Sequence, residues 1–256
     1  MKLMDVPFTT SHDFEATFHT DLQKKYQLEA SMTNTSVQAP KKNFKTKDLF
    51  VGFETQADST QAYLKAGDLD MSLQASGYVE ALGTQVDTLM ATMFRQWTSK
   101  TIDQEALKHL FPTLSLNITS GQDNPICNFL AMKGFAYDQL HMDLHTSPEA
   151  GLNGKTSVYG MHTDSLMLDT LYLDIVHEAE GVNFQSGAIS NARKGQEAFN
   201  IGLDGFIHNG SAQVMLQYLN AKKEQGIYMG LNAELRRRGI RMKLIPENPT
   251  LVYRPF

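Results

Sequence analysis

Residues 69–75 have the sequence LDMSLQA, in which apolar and polar side chains alternate without a break. Successive side chains of a β-strand point to opposite faces, so this alternation predicts a strand with one apolar and one wet face. Short turn signals separate several further segments of this kind, which predicts antiparallel neighbours joined as a meander. The alternation recurs near residues 14–22, 26–32, 49–53, 140–145, 171–176, 199–205, 214–218 and 227–235.

The spacing of the apolar residues changes after residue 78. From Val79 to Phe94 the apolar residues recur at intervals of three and four, which predicts an amphipathic helix. A second helix is expected over residues 103–111. A third is expected after Asn124, because Asn followed by Pro125 is typical of a capped helix start.

These patterns divide the chain into three parts. We predict N-terminal strands in residues 1–78, a helical insert in residues 79–133, and further strands of the same sheet in residues 134–256. The predicted fold class is therefore mainly β, a long antiparallel meander sheet with a small helical insert.

Composition narrows the possible functions. The chain has 256 residues and a formal net charge of -5, which argues against nucleic acid as the main partner because phosphate contacts need a basic field. With Cys127 as the single cysteine, no disulfide can form within the chain. No apolar stretch reaches the roughly 18 residues of a membrane-spanning helix. The first residues lack the apolar core of a signal peptide, which by itself favours a cytoplasmic protein.

The sequence does not predict an enzyme, a catalytic residue, a metal or a cofactor. His141, Asp143 and His145 would share one side of a strand and could bind a metal, but an ordinary polar face has the same pattern. Cys127 has no nearby base in the sequence, so a small buried residue is the better interpretation. The three arginines at 236–238 could contact anionic lipid, although charged hairpin tips are common.

The apolar strand faces outnumber what one helical insert can cover. Unless the sheet closes on itself, much of this surface must face another molecule. Methionine side chains on several of these faces suit an adaptable apolar surface. The candidate lining residues are Phe14, Phe18, Leu28, Met32, Val51, Phe53, Leu69, Met71, Leu73, Leu140, Met142, Leu144, Leu171, Leu173, Ile201, Leu203, Val214, Leu216, Met229 and Leu231.

Five segments of the chain carry a resemblance to a known family. They are DLFVGFETQADSTQAYLKAGDLDMSLQASG (48–77), LSLNITSGQDNPICNFLAMKG (114–134), TSPEAGLNGKTSVYG (146–160), SLMLDTLYLDIVHEAEGVNFQSGAISN (165–191) and LIPENPTLVYRPF (244–256). In the spacing of their predicted strands and in short sequence motifs, these segments resemble the bacterial TamB family, the translocation and assembly module proteins of the AsmA-like group.

The resemblance implies a fold and a function. Members of that family are anchored in the inner membrane and cross the periplasm as a rolled, taco-shaped β-sheet with an apolar inner face. The resemblance therefore implies that the predicted meander sheet is curled into a taco-like half-barrel. They are implicated in carrying phospholipid between membranes and in outer-membrane biogenesis. The chain lacks the family's anchor helix and is shorter, so the resemblance implies an internal segment of a periplasmic, inner-membrane-anchored protein. Its membrane contacts would be made by other parts of the parent chain.

Two other functions are compatible with the sequence. A scaffold could assist outer-membrane or secreted proteins by strand pairing at an open sheet edge, with an insertase subunit of the β-barrel assembly type as partner. An outer-membrane barrel is the third possibility, but Pro255 interrupts the last strand pattern and aromatic girdles are not evident.

Overall fold

The computed structural model of the chain describes residues 9–39, 42–163 and 166–251. The elements in these residues are β1 (Thr9–Thr20), β2 (Tyr26–Ala39), β3 (Lys42–Lys45), β4 (Leu49–Thr55), β5 (Ser59–Ala66), β6 (Leu69–Ser76), α1 (Val79–Ser99), α2 (Gln104–Lys108), β7 (Leu114–Ser120), α3 (Pro125–Met132), β8 (Gln139–Ser147), β9 (Gly151–His162), β10 (Met167–His177), β11 (Val182–Ser190), β12 (Phe199–His208), β13 (Ser211–Asn220), β14 (Gln225–Arg236) and β15 (Gly239–Leu251).

All of these strands belong to one antiparallel sheet. Apart from β3, which pairs only with β2, the order across the sheet is the order along the chain. Strands make up 61% of the structure and helices 14%, so the predicted mainly β meander is confirmed. Within the described residues, β1 and β15 do not pair with each other, and the sheet is open, as a half-barrel requires.

One strand lies inside the predicted helical insert. Residues 79–133 hold the three expected helices, but β7 separates α2 from α3 and pairs with both β6 and β8. The prediction missed this strand because its seven residues lie between two strong helix signals, although Leu114, Leu116 and Ile118 do alternate with polar residues. The helices therefore lie in two separate connections, α1 and α2 between β6 and β7, and α3 between β7 and β8. The sheet continues through β7 without interruption.

The turn between β12 and β13 shows how the sequence sets the meander. His208 pairs directly with Ser211, so the hairpin loop contains only two residues. Asn209 and Gly210 both have positive φ angles, of 42° and 78°. This conformation suits the right-handed twist of paired strands, and asparagine and glycine adopt it at the least cost.

The helices lie at opposite ends of the sheet. We call the end where β6 stops and β7 starts the α1 end, and the end where β7 stops and β8 starts the α3 end. At the α1 end, the Gln104 side chain donates a hydrogen bond to the carbonyl of Ile207, in β12, at 2.9 Å. On the return to β7, the Phe111 ring packs edge-on against His177, at the end of β10. The α1–α2 connection therefore reaches across the strand ends from β6 to β12.

The buried core is small and lies mainly at the α3 end. The buried apolar residues of the described chain are Ala66, Leu69, Leu89, Cys127 and Tyr137. The accessible surface is 17126 Å² for 28.7 kDa, whereas a compact monomer of this mass exposes about 11,000 Å². The fold is held mainly by strand pairing, and most apolar side chains stay partly exposed.

Polar side chains complete this core. Asn124 is fully buried, and its Oδ1 accepts a hydrogen bond from the Cys127 amide at 3.0 Å, which confirms the predicted helix cap. Its Nδ2 lies 2.8 Å from Asp68 Oδ1 and 2.9 Å from Ser120 Oγ, so one amide joins α3 to the ends of β6 and β7. Burial, followed by the neighbouring Cys127 thiol, raises the pKa of Tyr137 to about 12. The phenol therefore stays protonated beside Ser120 Oγ, 2.6 Å away.

An ion pair fastens the loop after β11 to β10. The Arg193 guanidinium, together with the Asn191 amide, lowers the pKa of the Asp169 carboxyl from 3.8 to about 2. A carboxyl whose pKa is lower when folded adds stability above its unfolded pKa and loses it as the pH falls through the folded value. Because the pair is partly exposed, we expect a contribution of about 1 kcal/mol.

We therefore predict that Asp169→Asn lowers the free energy of unfolding by about 1 kcal/mol at pH 6 and has little effect at pH 2. Urea denaturation at the two pH values measures the difference. An equal loss at both would contradict the assignment of this stability to the ionised carboxylate.

Candidate functional site

One face of the sheet is apolar from the first strand to the last. We call it the apolar face and define it by the strand register. Directly paired residues form a row that crosses every strand of the main path: Phe18, Leu28, Phe53, Ala62, Leu73, Leu116, Leu144, Gly154, Ile175, Phe184, Gly205, Val214, Leu231 and Leu244. At a strand spacing of about 4.8 Å, this row follows the sheet for about 60 Å.

The two glycines in this row do not break it. A β-carbon on Gly154 would lie 2.9 Å from a methyl carbon of Leu144, and one on Gly205 would overlap the ring of Phe184. Each glycine is therefore covered by the larger side chain of the strand beside it. The apolar surface is continuous at both positions.

All the lining residues proposed from the sequence lie on this face. Rows beside the central one contain the remaining candidates, for example Phe14 paired with Met32, and Leu203 paired with Leu216. Leu69 is buried, at 3% exposure, while the others are half-buried or exposed. The register thus brings residues as far apart in sequence as Phe14 and Leu231 onto one surface.

Sequence reasoning missed several strands that contribute to the face. Strand β9 presents Leu152, Gly154, Thr156 and Val158 to it, so glycine and threonine obscure the apolar alternation. Strand β11 has a similar mixture that includes Ser186 and Ala188. The spacing of the recognised strands could have revealed them, since a meander needs a strand between β8 and β10 and another between β10 and β12.

The opposite face is polar along most of the same path. In register with the apolar row it carries Glu29, Gly52, Tyr63, Ser72, Asn117, Asp143, Lys155, Asp174, Gln185 and Asp204. On this face the Lys155 Nζ lies 3.8 Å from a carboxylate oxygen of Asp174, and the Lys65 Nζ lies 3.2 Å from one of Asp70. The sheet therefore has one face suited to water and one suited to hydrocarbon.

No described helix packs along the apolar face. Helix α1, the longest, buries only Leu89 among its own residues. Leu171 and Leu173, near the middle of the sheet, each remain 38% exposed. The apolar face is thus open along its central row, while Leu69 at the α3 end is covered.

The other candidate sites have structural roles in the folded chain. His145 pairs with Asp143 along the polar face, while His141 packs edge-on against Tyr159. Among the described residues, no three His, Cys, Asp or Glu side chains are grouped as a metal site requires. The sequence has a second pair of possible metal ligands nearby, His162 and Asp164, but Asp164 lies outside the described residues.

Cys127 is buried, as its sequence context predicts. Its Sγ lies 3.0 Å from the Gly121 carbonyl, to which it donates. The arginines at 236–238 do form a hairpin tip, at the α1 end of β14.

Comparison with known proteins adds no relative. No family model matches the chain, and neither a curated protein nor a solved structure is significantly similar to it. Among the described helices, none has the length and hydropathy needed to span a membrane.

Proposed function

We propose that the apolar face binds phospholipid acyl chains and lets them move along the sheet, as part of a TamB-like protein of the bacterial envelope. The observation that carries this proposal is the unbroken apolar row from β1 to β15, open to its surroundings at nearly every strand. The proposal places the chain in the periplasm, as an internal segment of an inner-membrane-anchored parent. In that setting it would support transport of lipid to the outer membrane.

The dimensions of the face fit this cargo. One leaflet of a bilayer places its acyl chains across about 15 Å, half of the hydrocarbon thickness. The strands of the central sheet, β8 to β14, have 9 to 12 residues and are about 30 to 40 Å long. A pair of acyl chains can therefore lie within the width of the sheet while its headgroup reaches water at a strand end.

The energetics favour a continuous surface over a closed pocket. Moving a CH₂ group out of water lowers the free energy by about 0.8 kcal/mol. A lipid that leaves a bilayer therefore needs its acyl chains shielded from water at every step. Neighbouring positions along the row offer apolar surface without a distinct pocket, and none of them would hold the lipid much more tightly than the next. Such a surface supports movement without a catalytic group or an energy source in this segment.

Titration with a phospholipid that carries a fluorescent acyl chain tests the proposal. We expect saturable binding with a rise in emission, and competition by unlabelled phospholipid but not by glycerophosphate, which has no acyl chains. Binding equally well competed by glycerophosphate would contradict recognition through the apolar face.

A strand-pairing scaffold is the alternative function, and one observation favours it. Every residue of β1 is exposed, and among the described residues this strand pairs only with β2, so its outer edge offers backbone groups to another strand. The partner in this case would be an outer-membrane or secreted protein, or an insertase subunit. Replacing Ala16 with proline would block pairing at that edge and leave the centre of the apolar face intact. A loss of client capture with unchanged phospholipid binding would favour the scaffold.

A further inference from the structure

An apolar stripe on α1 is left exposed where the helix crosses the strand ends. The side of α1 that faces the protein carries Leu89, which is buried, with Leu82 and Gln96 half-buried seven residues to either side. The exposed stripe lies beside it on the helix surface and consists of Val86, Met90, Met93, Phe94 and Trp97. Its two aromatic side chains, Phe94 and Trp97, are 72% and 55% exposed.

A basic hairpin tip is held beside the C-terminal end of this stripe. Gln104 and Asn209 exchange two hydrogen bonds, of 3.0 and 3.3 Å, which fix the start of α2 to the β12–β13 turn. In the same turn, Gly210 accepts a hydrogen bond from the Leu235 amide at 2.7 Å, one residue before the arginines at 236–238. Lys100, directly after α1, lies with its Nζ 4.9 Å above the Trp97 ring.

Three carboxylates beside the tip and the start of α2 are engaged within the protein, whereas Glu178 and Glu180, in the β10–β11 turn at the same end, pair with no described cation. Glu234 pairs with Arg236, Glu105 lies 3.2 Å from His109, and Asp103 accepts the Ala106 amide as the cap of α2. Arg237 and Arg238 form no ion pair with any described carboxylate. The arginines at 236–238, Lys100 and Lys108 outnumber Asp103, Glu105 and Glu234, so this corner presents net positive charge next to exposed aromatic side chains.

From this arrangement we infer that α1 and the 236–238 tip dock the α1 end of the sheet onto an anionic phospholipid bilayer. Amphipathic helices with tryptophan and phenylalanine bind in the interfacial plane, and nearby arginines add attraction to anionic headgroups. The acidic residues of α1, Glu80 and Asp87, lie in its first half, so the second half would meet the membrane. This inference extends the proposed function, because it would place the edge of the apolar face that the strand ends form beside a bilayer, but it rests on different residues.

The single tryptophan of the chain makes the docking directly measurable. With vesicles of phosphatidylcholine and phosphatidylglycerol, we expect a blue shift of the Trp97 emission and its quenching by lipids brominated near the headgroup. Pure phosphatidylcholine vesicles should give much weaker binding. Arg237→Gln with Arg238→Gln should weaken binding to the anionic vesicles about fivefold per arginine.

Matched variants separate docking from other effects. Phe94→Glu should abolish vesicle binding, whereas Ile126→Glu and Phe135→Glu, at 43% and 44% exposure on the α3 end, should leave it intact. Phe94→Glu should also leave the binding of single phospholipids to the apolar face unchanged, so failure of one proposal is distinguishable from failure of the other. Trp97 emission that is already blue-shifted in buffer and unchanged by vesicles would overturn the inference, because α1 would then be packed against protein.

Discussion

Replacing Asn124 with alanine is expected to lower the free energy of unfolding by about 3 kcal/mol. The loss of the α3 cap accounts for about 1 kcal/mol. The rest follows because the side chain is fully buried and its Nδ2 contacts Asp68, Ser120 and the Gly121 carbonyl, which would lose a buried partner. Urea denaturation followed by circular dichroism measures the change as a shift of the midpoint.

Two further variants show which part of Asn124 matters. Asn124→Asp keeps an acceptor for the Cys127 amide but removes the donor and sets a second carboxylate against Asp68. We expect it to be as destabilising as the alanine variant at pH 7 and less so at pH 4, where protonation relieves the repulsion. Asn117→Ala, at an exposed asparagine of the polar face, should change stability by less than about 0.5 kcal/mol. An Asn124→Ala variant as stable as Asn117→Ala would contradict the role given to this network.

Charges placed on the apolar face are expected to abolish phospholipid binding while the sheet stays folded. Leu173 and Leu216 lie in one row, separated by Ser186 and Leu203, so glutamates at both would put two carboxylates across the path of an acyl chain. A carboxylate against hydrocarbon costs several kcal/mol, which corresponds to at least a hundredfold loss of affinity. The fluorescent phospholipid titration measures it.

The same two strands supply the control. Val176 on β10 and Met215 on β13 are apolar but lie on the polar face, so Val176→Glu with Met215→Glu adds the same charge on the other side. We expect near-normal lipid binding from this pair. Equal loss from both double variants would show that charge alone, rather than the apolar face, determines the result.

The sequence predicted the sheet well because the period-2 signal is local. Each strand such as β6 shows its own alternation, and turns such as Asn209-Gly210 fix the register of the next strand. Strands β7 and β9 were not predicted because their alternation of apolar and polar residues is harder to recognise. Strand β7 lies between two helix signals, and β9 has glycine and threonine on the apolar face.

The buried network and the exposure of α1 could not be predicted in the same way. The contacts of Asn124 with Asp68 and Ser120 depend on how the ends of β6 and β7 meet α3, which no local pattern encodes. Helix α1 has an apolar pattern that suits a core, yet only Leu89 is buried, because the helix runs past the strand ends rather than over the sheet. Exposure of this kind is a tertiary property.

Photo-crosslinking on the two faces tests the central claim most directly. Met71 and Leu231 lie on the apolar face, and their neighbours Ser72 and Asn232 lie on the polar face with similar partial burial. With a photoreactive residue at each position in turn, in protein exported to a bacterial periplasm, we predict phospholipid adducts at Met71 and Leu231 and few at Ser72 and Asn232. Equal labelling of both faces, or adducts with protein alone at Met71 and Leu231, would contradict a lipid-binding apolar face.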